Sequence, residues 1–143
     1  MSLIATATAA FVAALQAAPA VCPVVERVRL RPQAANVPAW LVVRPDGAMA
    51  QGRLMQGGPI VWMCQIAVEC CAKTSTATAP DAAIDVMVTA AYARLMADPT
   101  LGGAVHHVEP VSLAYDFDVD GEQTASATFV FQVRQTAHNP AIF

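Results

Sequence analysis

At 143 residues the chain has the size of one domain, and 56% hydrophobic against 13% charged residues excludes an intrinsically disordered segment. A net charge of −3 excludes the global basic footprint of a free-standing nucleic-acid binder. So few charges also leave little to cover an isolated monomer, which favours an oligomer.

From Ser2 to about Ala18, Ile4, Phe11 and Leu15 recur at helical spacing with small alanines between, and the pattern ends before Pro19. The stretch is apolar and ends in small residues, yet its first positive charge is Arg27, so it lacks the basic segment of a secretory signal. Ser2, Thr6, Thr8 and Gln16 interrupt it, so it falls short of the roughly 20 apolar residues of a membrane span and reads as a soluble helix.

Val24 to Arg31 alternates. Val24, Val28 and Leu30 share a face with Glu26, and Arg27, Arg29 and Arg31 share the other with Val25, which predicts a half-buried strand with a basic outer face. Ala39 to Val43 reads as a short strand closed by the turn signal Arg44-Pro45-Asp46-Gly47. The run from Gly47 to Gly58 shows no period and reads as a mobile loop, with Gly47, Gly52, Arg53, Gly57 and Gly58 its marker residues. Ile60 to Cys71 places Ile60, Trp62, Cys64, Ile66, Val68 and Cys70 on one face and predicts the central strand.

Thr78 and Asp81 have capping-box spacing with Pro80 in the first turn, and Ile84, Met87, Val88, Ala91 and Leu95 then mark one face of a helix stopped by Asp98-Pro99. Leu101-Gly102-Gly103 turns the chain back. Val111, Leu113, Tyr115, Phe117 and Val119 alternate into Asp120-Gly121, and Ala125, Ala127, Phe129, Phe131 and Val133 alternate after it, which predicts a hairpin. With no internal repeat or linker, residues 1–143 form a single α+β domain of order α-β-β-β-α-β-β, both helices lying on one face of a mixed or antiparallel sheet.

The motifs that carry chemistry are sparse. Asp116-Phe117-Asp118-Val119-Asp120-Gly121 opens like an EF-hand loop, but its twelfth position is Ala127 where a bidentate glutamate belongs, so it reads as a solvated acidic face entering a turn. His106 and His107 are adjacent and cannot chelate one ion together from a strand, and a site joining one of them to Glu109 and a cysteine has no spacing signal. Cys22, Cys64, Cys70 and Cys71 contain no C-x-x-C pair and read as buried free thiols of a reducing compartment. No G-x-S-x-G, Walker A or G-x-G-x-x-G occurs. No enzyme, cofactor or metal is therefore expected; a ligand- or metal-binding module using the acidic hairpin, or a cysteine-dependent enzyme, is the alternative from another class. The stripe Arg27, Arg29, Arg31 reads as a solvated face or as a subunit contact, for which Asp116, Asp118 and Asp120 are the natural counter-charges on an identical neighbour.

From Tyr92 to Pro140 the chain resembles the carboxy-terminal part of bacteriophage tail terminator and minor tail completion proteins, such as the lambda tail terminator. The resemblance rests on the helix break Ala97-Asp98-Pro99, on Tyr115-Asp116-Phe117 entering an acidic turn, and on the strand Phe129-Val130-Phe131-Gln132-Val133. It covers about a third of the chain directly, and the element order covers nearly all of it. It implies a virion structural subunit of phage or prophage origin, assembled in the host cytoplasm, that closes into a homo-oligomeric ring of six. That ring would cap the tail tube and join it to the head connector, with DNA passing through. A head-tail neck or tail completion role is the related alternative. It further implies that the Gly47–Gly58 segment meets a partner ring or the lumen.

Overall fold

The computed structural model describes residues 2–28, 37–53, 55–73, 79–117 and 124–138. Two helices, α1 (Leu3–Gln16) and α2 (Pro80–Ala97), lie with five strands: β1 (Val25–Arg27), β2 (Ala39–Arg53), β3 (Ile60–Lys73), β4 (His107–Phe117) and β5 (Thr124–Ala137). The strands form one sheet in the order β1-β2-β3-β5-β4, with β1 parallel to β2 and every other pair antiparallel. Helix, three strands, helix and hairpin follow in the order expected, and β3 is the central strand.

α1 starts where Ser2 accepts a hydrogen bond from the Ala5 amide at 3.2 Å, satisfying one of the free donors of the first turn. Its buried face is Ala7, Thr8, Phe11 and Leu15, and Thr8 stays compatible with burial by donating to the Ile4 carbonyl at 2.7 Å. α2 buries Ile84, Met87, Val88, Ala91 and Leu95, the face read from the sequence. Its N-cap differs from the expected box: Ala79 holds that place, and its methyl side chain has no acceptor to offer the first-turn amides, while Pro80 at the first helical position carries no amide hydrogen of its own. Thr78 lies outside the described residues.

Both helices pack on the same side of the sheet, against Leu41 and Val43 of β2, alternate residues Cys64 to Ala72 of β3, and Ala125 to Val133 of β5. An aromatic column ties the layers. Phe11 meets Phe131 edge-on at 5.7 Å, Phe131 stacks on Phe129 at 4.5 Å, and Phe129 stacks under Tyr92 of α2 at 5.6 Å.

Arg94 of α2 supplies what α1 lacks. It donates to the carbonyls of Ala14 at 3.0 Å, Ala17 at 2.7 Å and Pro19, all at the carboxyl end of α1, where no basic residue of its own lies in the last turn. A cation there satisfies orphan carbonyls and complements the negative end of the helix dipole. At the end of α2, Asp98 accepts from the Thr100 hydroxyl and amide and the Gly102 amide, which holds its carboxyl below the usual range, the Thr100 hydroxyl contributing most.

Four expectations need correction. The strand expected from Val24 to Arg31 is only Val25–Arg27 within the described residues, because Val28 has φ +46° and leaves the extended conformation; residues 29–36 lie outside them. Val25 is buried rather than outward, so the arginine-bearing face of β1 is not an outer face. The segment read as a loop from Gly47 is strand: β2 runs on through Gly47 and Gly52 to Arg53, paired residue by residue with β3, and only residues 54–59 separate the two strands. The turn expected at Arg44–Gly47 is a bulge, with Asp46 the extra residue between Pro45 and Gly47; a second bulge falls between Ala50 and Gly52.

Candidate assembly surfaces

Position in the sheet decides which surfaces are free. β1 and β4 are its two edges. β1 covers only Leu41 to Val43, so the outer side of β2 from Arg44 to Arg53 has no strand beside it among the described residues. Long free edges invite pairing with another chain, and this molecule restrains its own with Pro45, Pro110 and bulges.

Arg27 ends β1 opposite Val43, a core residue, so its side chain emerges on the helix-bearing side, where it donates to the Ala5 carbonyl of α1 at 3.4 Å. Asp116 lies on β4 opposite Ser126, on the other side of the sheet. The two are at opposite edges, four strand spacings or about 19 Å apart across the sheet, so they cannot meet within one copy. Arg29, Arg31, Asp118 and Asp120 lie outside the described residues. Gly47, Gly52 and Arg53 are on β2, with Gly52 at φ +111°; Gly57 (φ +74°) and Gly58 form the turn to β3. The arm they build carries two methionines, Met49 and Met55, each 68% exposed.

The sequence did not single out the apolar shelf at β4. Because Val111 is the extra residue of a bulge between Pro110 and Ser112, the strand changes phase there: Val108 is buried, and Leu113, Tyr115 and Phe117 also face the helix-bearing side. α2 does not reach far enough to cover these three, which remain 37–45% exposed. The rings of Tyr115 and Phe117 stack 6.0 Å apart and, with Asp81, Ala82 and Asp85 from the start of α2, line an open hollow of about 530 Å³.

All four cysteines are free and buried. Burial pushes the Cys70 thiol up to about 12, with smaller contributions from Cys22 and Glu69, and raises Cys64 and Cys71 as well; Cys71 also donates to Glu69 at 3.4 Å. Such groups remain thiols at neutral pH and are poor nucleophiles. His107 lies 3.3 Å from Glu109 with both side chains exposed. Among the described residues no three His, Cys, Asp or Glu side chains cluster closely enough to hold a metal ion, and no helix is long and apolar enough to cross a membrane. Of the EF-hand-like segment, Asp116 and Phe117 are strand residues, and the rest lies outside the described region.

No protein-family model matches the chain, and no curated protein matches it in sequence. Its fold is shared with a solved chain described as "Virion of native gene transfer agent (GTA) particle", at 12% identity and a TM-score of 0.54, with 91% of this chain and 94% of that chain covered.

Proposed function

We propose that the chain is a non-catalytic structural protein of a phage-like virion, a tail terminator that closes as a ring on the end of the tail tube and joins the tail to the head connector. The observation that carries this reading is the fold likeness to a virion chain over nearly the whole length of both proteins. The free sheet edges support it, since a subunit with two different open edges associates head to tail and closes into a ring when the rotation allows. A contact between copies would bring the Arg27 edge of one to the opposite, β4 edge of the next; of the charges read from the sequence for that contact, Asp116 is on the other face of the sheet from Arg27, and Arg29, Arg31, Asp118 and Asp120 lie outside the described residues. The β2–β3 arm with Gly47, Gly52, Arg53, Gly57 and Gly58 is the candidate for contact with an adjoining ring or the lumen. A net charge of −3 suits DNA passage without tight phosphate binding.

Deleting the gene from the genome that encodes it tests this. The proposal expects filled heads and unattached tails of irregular length in electron micrographs, restored by the gene in trans. Irregular tail length identifies a terminator, whereas tails of normal length that fail to join identify a neck or completion protein. Particles of normal form and number would refute the proposal.

A further inference from the structure

We infer that the shelf formed by Leu113, Tyr115 and Phe117 receives the β1 edge of a second copy of this chain, with Arg27 reaching Asp81 and Asp85. The inference rests on the assembly reading above and deepens it by assigning the contact.

Three observations support the assignment. First, the faces agree. Arg27 emerges on the helix-bearing side of the sheet, and so do Leu113, Tyr115 and Phe117; the two carboxylates at the hollow belong to α2, on that same side. Asp116 is on the opposite face, so in a sheet continued from copy to copy it is the wrong counter-charge for Arg27. Second, the rows agree. Along the ladder, Arg27, Val43, Val68, Phe129 and Leu113 form one row, and Val25, Leu41, Cys70, Ala127 and Tyr115 another. A neighbour placed at the β4 edge without axial displacement therefore brings its Arg27 beside Leu113. The hollow begins one side chain farther along that face, at a spacing of about 7 Å for two strand residues, within the reach of an arginine. Third, the chemistry is complementary. One edge offers a guanidinium, bonded at 3.4 Å to an exposed carbonyl of its own copy; the other offers an aromatic surface rimmed by two carboxylates. Neither half is self-complementary, as a head-to-tail contact requires. Burying the aromatic rings supplies the apolar gain, and arginine suits both carboxylate and aromatic contact.

Charge exchange and crosslinking test it on the full purified chain. Arg27→Glu and the pair Asp81→Arg with Asp85→Arg should each raise the concentration needed for self-association roughly tenfold or more, and the triple variant should recover part of the loss. Asp116→Arg should leave it unchanged. Glu26→Cys with Ala114→Cys, which fall on one row of the continued ladder, should give a ladder of disulfide-linked oligomers under mild oxidation, while the four native thiols stay inert in their buried positions. Thermal melts identify variants that fail to fold, and the crosslink reports on the contact in an otherwise native chain. Self-association unaffected by Arg27→Glu, with no ladder, overturns the inference, as does a chain that never associates. If gene deletion still produces unattached tails in that case, the contact alone is wrong; normal particles would remove the assembly reading itself.

Discussion

Arg94 reaches across from α2 to the end of α1, and replacing it tests whether that bridge holds the two helices in register. Arg94→Met keeps most of the aliphatic stem and removes three donated bonds, to Ala14, Ala17 and Pro19. A hydrogen bond from a charged donor contributes about 1.5–3 kcal/mol when its loss leaves a buried acceptor unpaired. Two of these carbonyls are exposed and regain water, so most of that applies only to the part-buried bond to Ala14. Adding about 0.5 kcal/mol for the lost cation at the helix end gives a net destabilisation of about 2 kcal/mol. With an unfolding entropy near 2.1 cal/mol/K per residue, that lowers the melting temperature of this chain by about 7 °C. Circular dichroism melts and urea titrations at matched protein concentration measure it, since association would itself shift the midpoint. Arg94→Lys should recover less than half, because one ammonium cannot serve three carbonyls in the planar geometry of a guanidinium. A loss below about 0.5 kcal/mol, as for an ordinary surface substitution, would refute this account of the helix pair.

Phe131→Ala removes the middle of the aromatic column from a fully buried position and should cost about 3–5 kcal/mol in urea unfolding, whereas Tyr92→Ala, at its exposed end, should cost less than half as much. The buried thiols predict alkaline sensitivity. The folded pKa values of Cys64, Cys70 and Cys71 lie above the ordinary 9.0, so their stabilising contribution is complete below that value and is lost as pH rises toward about 12 for Cys70; the urea midpoint should fall across that window, and Cys70→Ala should flatten the slope. Asp98 has the opposite sign: its lowered pKa contributes above the ordinary carboxylate range and is lost on acidification, so Asp98→Ala should weaken the acid dependence of the melting temperature.

What the sequence reveals follows how each element is buried. α2 is covered on one side only, so Ile84, Met87, Val88, Ala91 and Leu95 print a single helical stripe, and the structure buries all five. β3 lies in the middle of the sheet, where the face read from the sequence at Cys64, Ile66, Val68 and Cys70 is buried, along with Val61, Ala67 and Cys71 of the other face. The outer half of β2 has the opposite situation. From Pro45 to Arg53 both of its faces are exposed, so no alternation is selected, and bulges at Asp46 and Gln51 break what periodicity a strand would have shown. β1 misleads because its arginines at alternate positions imitate an outward face; a left-handed backbone at Val28 ends the strand first, and Arg27 turns toward α1.

The candidate assembly surfaces were legible in part. Of the charges taken from the sequence as candidate contacts, Arg27 and Asp116 lie within the described residues, and the face each occupies depends on register, which at β4 depends on a bulge marked in sequence only by Pro110. The exposed Leu113, Tyr115 and Phe117 alternate like core residues and are indistinguishable from them until the limited reach of α2 is known. Arg94 shows the same limit at a single residue, since nothing local to it points to a helix end 75–80 residues earlier in the chain.

The central claim is that this chain works as a fixed part of a particle rather than by turnover, and locating it in assembled particles tests that claim most directly. Particles purified from producing cells should contain it in several copies by mass spectrometry, with antibody-gold label confined to the junction of head and tail. Its absence from purified particles, or label spread through the cell extract with none at the junction, would contradict the account.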